Sequence, residues 1–220
     1  MEPRIERGAA PDVHRIEDAG VNWYLVEAES GLTIVDAGVP RSWDSLQRVL
    51  AEVGRDASEI RALVLTHAHF DHLGFAERAR SRYLLTKPRG LPHVLGFLAT
   101  RAFWPQPVRE PRPFSGGELD VPGAPRVIAT PGHTLGHCAL HLPDRDAVVA
   151  GDAIVMLDLY TGAKGPRIVA GAATADSERA LRSLDALAGV EASTVLTGHG
   201  EPWRGGTAEA VRQARAAGPS

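Results

Sequence analysis

Four short apolar runs in this chain each end in histidine or aspartate. Ala62-Leu-Val-Leu-Thr66 leads into His67-Ala-His69-Phe-Asp71-His72. Ile128-Ala-Thr-Pro-Gly leads to His133, Val149-Ala-Gly to Asp152, and Val195-Leu-Thr-Gly to His199. Short apolar runs bounded by turn residues read as buried strands, so these side chains stand at separate strand ends. His67 and His69 are two apart, and in extended backbone such residues face the same side. Their imidazoles can converge on one cation. Asp71 and His72 lie where the chain turns into a helix and can face a neighbouring cation. Glycine precedes His133, Asp152 and His199, and a residue without Cβ lets the backbone turn sharply and approach a crowded site. Five histidines and two carboxylates in this pattern suit two divalent cations: zinc, with iron, manganese or cobalt as alternatives. A lone histidine at a strand end is more often structural, and His14, His93 and His141 are read that way. Independent structural histidines would not repeat the spacing four times.

The bulk properties exclude several classes. With 220 residues the chain suits one sizeable core, read as a single domain over 1–220. Hydrophobic residues make up 44% and charged residues 23%, ordinary for a soluble domain. The net charge of −3 and the absence of lysine and arginine clusters argue against a nucleic-acid partner. Cys138 is the only cysteine, so no intrachain disulfide forms. The start is charged, without an apolar leader, and no stretch reaches transmembrane length. A cytoplasmic protein with no membrane partner is expected; a homodimer is compatible with the sequence.

Strands are expected at Val13 to Glu17, Val21 to Ala28, Gly31 to Val35 and Ala62 to Thr66. A helix capped by Ser42 should run to about Val53. Helix from Leu73 to Arg80 and a strand at Tyr83 follow. Residues 87–117 hold six prolines and the apolar segment Leu91 to Trp104, read as a lid-like insert carrying one helix. Strands resume at Arg126 to Ala129, Cys138 to Leu142 and Ala147 to Ala150. An irregular stretch spans Ala153 to Thr174. A helix over Asp176 to Ala188, a strand at Thr194 to Leu196 and a helix over Thr207 to Ala216 complete the chain. This pattern is α/β.

His67-x-His69-x-Asp71-His72, Thr130-Pro-Gly-His133, Gly151-Asp152 and Gly198-His199 resemble, in order and approximate spacing, the motifs of the metallo-β-lactamase superfamily. The resemblance covers nearly the whole chain. It implies an αββα sandwich, two mixed sheets flanked by helices, with the metals between sheet edges. It also implies one metal on His67, His69 and His133, a second on Asp71, His72 and His199, and Asp152 bridging them. Asp36 matches an aspartate that supports the ligand loops, and His137 a second-shell residue.

A dinuclear site of this kind carries a bridging hydroxide that attacks an acyl carbon or phosphorus, and Asp71 can accept or relay a proton. Among known members, exported β-lactamases usually lack the bridging aspartate. Glutathione thioesterases of the superfamily add a C-terminal helical domain, not expected here. Acyl-homoserine lactonases place a tyrosine three residues after the bridging aspartate, where this chain has Val155, with Tyr160 nearby but out of register. The expected activity is hydrolysis of a small, partly apolar ester, lactone or thioester. The alternatives are a phosphodiester hydrolase, a mononuclear iron persulfide dioxygenase-like enzyme, and a metal-retaining binding protein with little turnover. Phe97, Phe103 and Trp104 of the insert, facing Ile154 and Tyr160, are expected to line the substrate pocket.

Overall fold

In the computed structural model, residues 2–74 and 112–220 are described. Sheet 1 has the order β1 (Arg4–Ala10), β2 (Val13–Asp18), β3 (Val21–Ala28), β4 (Gly31–Val35), β5 (Ile60–Val64). Sheet 2 has the order β12 (Thr194–Thr197), β9 (Ala147–Gly151), β8 (Cys138–Leu142), β7 (Arg126–Ala129), β6 (Gly117–Glu118). All neighbours in the two sheets are antiparallel except two pairs, β4 with β5 and β12 with β9. Each sheet is therefore mixed, with one parallel pair.

Alternation along the strands sorts side chains into layers. Val13, Tyr24, Val26, Val35 and Val64 of sheet 1 meet Cys138, Leu140, Leu142, Val149 and Leu196 of sheet 2 in the central core. The other face of sheet 1 (Ile16, Trp23, Leu25, Leu32, Ile34) is covered by α1 (Ser42–Val53) through Leu46, Val49 and Leu50. That spacing puts the three on one helical face, and each is worth about 1.5–3 kcal/mol when fully buried. Ala139, Val148, Ala150 and Val195 on the far face of sheet 2 pack against α3 (Ser177–Ser183), α4 (Asp185–Ala188) and α5 (Thr207–Ala217). The expected helix–sheet–sheet–helix order is present.

Four local readings need correction. The charged start forms β1, an edge strand in which Arg4 and Glu6 obscure a weak alternation. Ser42 is the first residue of α1 and not its cap: Arg41 precedes it, while Ser42 Oγ donates to Asp18 and accepts from the Val39 N–H. The single helix expected over Asp176 to Ala188 breaks at Leu184. Ser183 Oγ donates to the Ala180 carbonyl at 2.8 Å, and such back-bonding competes with the helical ladder. The irregular stretch after Ala153 contains a hairpin, β10 (Val155–Leu157) with β11 (Lys164–Arg167). Asp158 shapes its turn by accepting from the Tyr160 N–H and the Thr161 hydroxyl. The insert up to residue 111, most of the helix read at 73–80 and the strand at Tyr83 lie outside the described residues. No helix among the described residues is long and apolar enough to cross a membrane.

Candidate metal centre

The two parallel pairs decide where the chemistry sits. Parallel neighbours end at the same edge, so the loop after β4 meets the loop after β5, and the loop after β9 meets the loop after β12. Asp36 N–H bonds the Val64 carbonyl at 2.9 Å, and Gly198 N–H bonds the Gly151 carbonyl at 2.8 Å. Two further backbone bonds stitch the sheets together at this edge: Cys138 N–H to Thr66 O at 2.9 Å, and Asn22 N–H to Gly198 O at 2.7 Å. His67, His69, Asp71 and His72, on the short helix α2 (Phe70–Leu73) and its lead-in, follow sheet 1. His133, on the β7–β8 loop, Asp152 and His199 come from sheet 2.

The donors assemble into groups. Ligand atoms of His67, His69 and His133 lie within 4.8 Å of one another, as do those of Asp71, His72 and His199. The carboxylate of Asp152 lies between them. Its Oδ2 is 3.3 Å from His133 Nε2 and 3.3 Å from His199 Nε2, and its Oδ1 is 3.6 Å from His72 Nε2. His199 Nε2 is 3.7 Å from Asp71 Oδ2.

Hydrogen bonds fix the imidazole tautomers. His72 Nδ1 donates to Asp36 Oδ2 at 3.1 Å, and His199 Nδ1 to the Gly20 carbonyl at 2.8 Å. Thr66 gives its hydroxyl proton to Asp36, so it accepts from His67 Nδ1 at 3.0 Å. Thr174 gives its proton to the Val169 carbonyl, so it accepts from His133 Nδ1 at 3.2 Å. In all four rings Nδ1 is thus committed outward and Nε2 faces the cluster. His67, His72 and His133 Nε2 and Asp152 Oδ1 are buried without a hydrogen-bond partner. Buried polar atoms are rarely left so. Several such atoms converging on one point fit divalent cations, and the outward partners are those that orient metal-binding histidines.

The electrostatics agree. Burial lowers His67 well below its ordinary value and takes His69 to about 3, each aided by neighbouring histidines. Burial also opposes charge on His72, but Asp152 and Asp36 outweigh it and lift His72 to about 10. His199 is likewise raised against its burial by Asp152. Asp152 is held well below the usual carboxylate range although burial opposes its charge, because His199 and His72 face it. The carboxylates favour positive charge at this point of the site.

His137 is no donor to either group. Its Nδ1 meets Thr130 Oγ1 at 2.8 Å and its Nε2 accepts from the Asp152 N–H at 3.1 Å. Burial takes it to about 3, keeping it neutral as that acceptor requires. Cys138 is buried in the central core, its thiol pushed up to about 12 by burial. His14 is bonded to Glu27 at 2.7 Å away from the cluster.

The glycines do what crowding demands. A Cβ on Gly198 would stand 2.0 Å from Asp152 Oδ1, and one on Gly132 would stand 2.1 Å from the Ala180 backbone nitrogen. Gly198→Ala is expected to displace the Asp152 carboxylate and lower metal uptake with the fold retained. Metal content and circular dichroism check this; full metal uptake would refute the crowding argument.

A small pocket opens on the donors, lined in part by His69, Asp71, His133, Asp152 and His199. The rest of its described wall is Phe70, Leu157, Leu159, Tyr160, Val169 and Ala173, with Asp158. Of the residues expected to line the pocket, Tyr160 is on this wall. Ile154 is not: it is fully buried in the outer core among Ala150, Ala153 and Ile168 and does not line the pocket. The strand at Val155 reverses alternate side chains, so Ile154 points away from the groove while Leu157 reaches it. Phe97, Phe103 and Trp104 lie outside the described residues. Sequence reasoning misses the Val169–Ala173 wall because the stretch lacks visible periodicity. Thr161-Gly162 between two short runs is the available hairpin signal.

Residues 16–199 match the family model described as the metallo-beta-lactamase superfamily. The chain is 28% identical to the probable metallo-hydrolase YflN of Bacillus subtilis (strain 168), over 90% of this chain and 87% of that one. It is 31% identical to a hydroxyacylglutathione hydrolase of Ruegeria pomeroyi, over 61% of this chain and 48% of that protein. The fold is shared with the metallo-beta-lactamase family protein TTHA1429 from Thermus thermophilus, with TM-score 0.65, 24% identity, and 94% and 79% of the two chains covered. With this fold and this cluster, the protein is a metal-dependent hydrolase. It belongs to the metallo-β-lactamase superfamily.

Proposed function

We propose that the chain is a dinuclear-metal hydrolase, with zinc as the metal and iron or manganese as alternatives, acting on a small, partly apolar ester, lactone or thioester. The observation that carries the reading is Asp152 at 3.3 Å from a histidine of each donor group. His67, His69 and His133 would hold one cation, Asp71, His72 and His199 the other, and Asp152 would serve both. When bound, two such cations activate water and polarise an acyl carbonyl. The chain supplies the rest. Asp36 holds the Nδ1 proton of His72, and His137 fixes the backbone of Asp152. Phe70, Leu157, Leu159, Val169 and Ala173 exclude water and accept an apolar acyl group. Burial, then Asp71 and Asp152, raise the Tyr160 hydroxyl, so it stays protonated as a donor at the pocket wall.

An acyl substrate is favoured over a phosphodiester because the described lining beyond the donors is largely apolar, with no arginine or lysine among the described lining residues. A thioester is consistent with the likeness to a hydroxyacylglutathione hydrolase. The test is elemental analysis followed by a panel of lactones, thioesters and phosphodiesters. Two metals per chain and turnover of an acyl substrate are expected. One tightly held iron with no second ion under metal-replete conditions, or activity confined to phosphodiesters, refutes the reading.

A further inference from the structure

Asn22 reaches across from the opposite sheet to both sides of the His199 loop. Asn22, on β3, is fully buried. Its Nδ2 donates to the carbonyls of Thr197 at 2.8 Å and Gly200 at 2.7 Å. Its backbone N–H donates to the Gly198 carbonyl at 2.7 Å. Its Oδ1 accepts from Arg15 Nε at 2.9 Å, which fixes the orientation of the amide. Arg15 is itself buried and held by Glu6 and Glu201 at 3.2 and 3.0 Å. Two residues before Asn22, the Gly20 carbonyl accepts the Nδ1 proton of His199. The carbonyls before and after His199, and its ring, are thus all referenced to the β2–β3 turn.

We infer that Asn22 is a positioning residue for the donor group of Asp71, His72 and His199. This rests on the two-cation reading above. His199 Nε2 must face both Asp71 and Asp152, and its direction depends on the backbone at 198 and 200 and on Gly20. Asn22 sets all three: it grips the carbonyls directly and anchors the turn that presents Gly20. A hydrophobic residue of equal size would fill the space but leave the Gly200 carbonyl without this donor.

Tyr24 provides the control. Its hydroxyl donates to the same Thr197 carbonyl at 2.6 Å; Gly200 is held instead by Asn22. Tyr24→Phe removes a buried hydrogen bond to the loop without releasing the far side of His199. The experiment titrates zinc into metal-free wild type, Asn22→Ala, Asn22→Asp and Tyr24→Phe against a chromophoric chelator, with thermal melts alongside. Asn22→Asp keeps the shape and the Arg15 contact while losing both amide donations, so it decides the matter where Asn22→Ala does not fold. The expected result is two zinc ions in wild type. In both Asn22 variants one ion should be weakened by about 10–100-fold, the range for partners that orient metal-binding histidines, and the other unchanged. Tyr24→Phe should melt lower and bind both ions as wild type does. A cobalt-loaded Asn22 variant should show an altered visible spectrum for the weakened ion alone. Folded Asn22 variants that bind both ions normally, or a Tyr24→Phe that weakens one ion equally, overturn the inference. Wild type that binds fewer than two zinc ions overturns the two-cation reading and this inference with it.

Discussion

Replacing Asp152 by alanine is expected to remove one metal ion per chain and nearly all turnover. The carboxylate faces His72, His133 and His199 within 3.6 Å, and among the described donors no other is so placed between the two groups. On the two-cation reading, losing it would leave two cations near one another without the anion that screens them. Because Asp152 is proposed as a donor itself, the loss of affinity should exceed the roughly 10–100-fold that a supporting partner costs. Asp152→Asn keeps the shape and should behave nearly as badly, which separates charge from packing. Elemental analysis with steady-state kinetics reads the outcome. An Asp152→Ala protein with two ions and the wild-type rate would falsify the bridging role.

The second large effect concerns protons. His72 is held near 10 in the metal-free site by Asp152 and Asp36 against its burial, so it is protonated at neutral pH. Its Nε2 must shed that proton before it can donate to a cation. Zinc binding should therefore release protons, and apparent affinity should climb with pH by about tenfold per unit for each proton released. The climb ends as pH passes about 10. The metal-free fold responds in the opposite sense. A raised histidine stabilises it fully below the ordinary value of 6.5, and that contribution is lost as pH rises through about 10. Calorimetric titration in two buffers of different ionisation heat measures the protons directly. Identical heats in both buffers would sink the argument.

Much of this is legible in the primary sequence, for identifiable reasons. A strand ending in Gly-Asp or Gly-His carries its signal in adjacent residues, so Asp152, His133 and His199 stand out, and the structure gathers them. Asp36 and His137 are legible through resemblance and are seen holding His72 and the Asp152 backbone. Asn22 and Thr174 are not legible. Each is an ordinary polar residue whose role exists only because a distant segment packs on it: 175 residues separate Asn22 from Thr197. Ile154 is misplaced by sequence reasoning because a one-residue difference along a strand reverses the face. Apolar residues are dense in the Pro-rich insert, which draws the expected pocket wall there. The described wall comes from a hairpin whose strands are three and four residues long, too short for alternation to register.

The two backbone stitches at the site edge, Thr66 with Cys138 and Asn22 with Gly198, have a consequence for the order of events as the chain folds. The donors run from residue 67 to residue 199, and their supports reach back to residue 20. No contiguous stretch holds even one donor group: His133 is needed for the first and His199 for the second. Early in synthesis the chain can build most of sheet 1 and its helix while offering a cation only the residues from His67 to His72. The first group needs the β7–β8 loop in place beside sheet 1, and the second needs the loop after β12 there as well. On the two-cation reading, a chain that takes up its full complement of metal has therefore reported that its two halves have met.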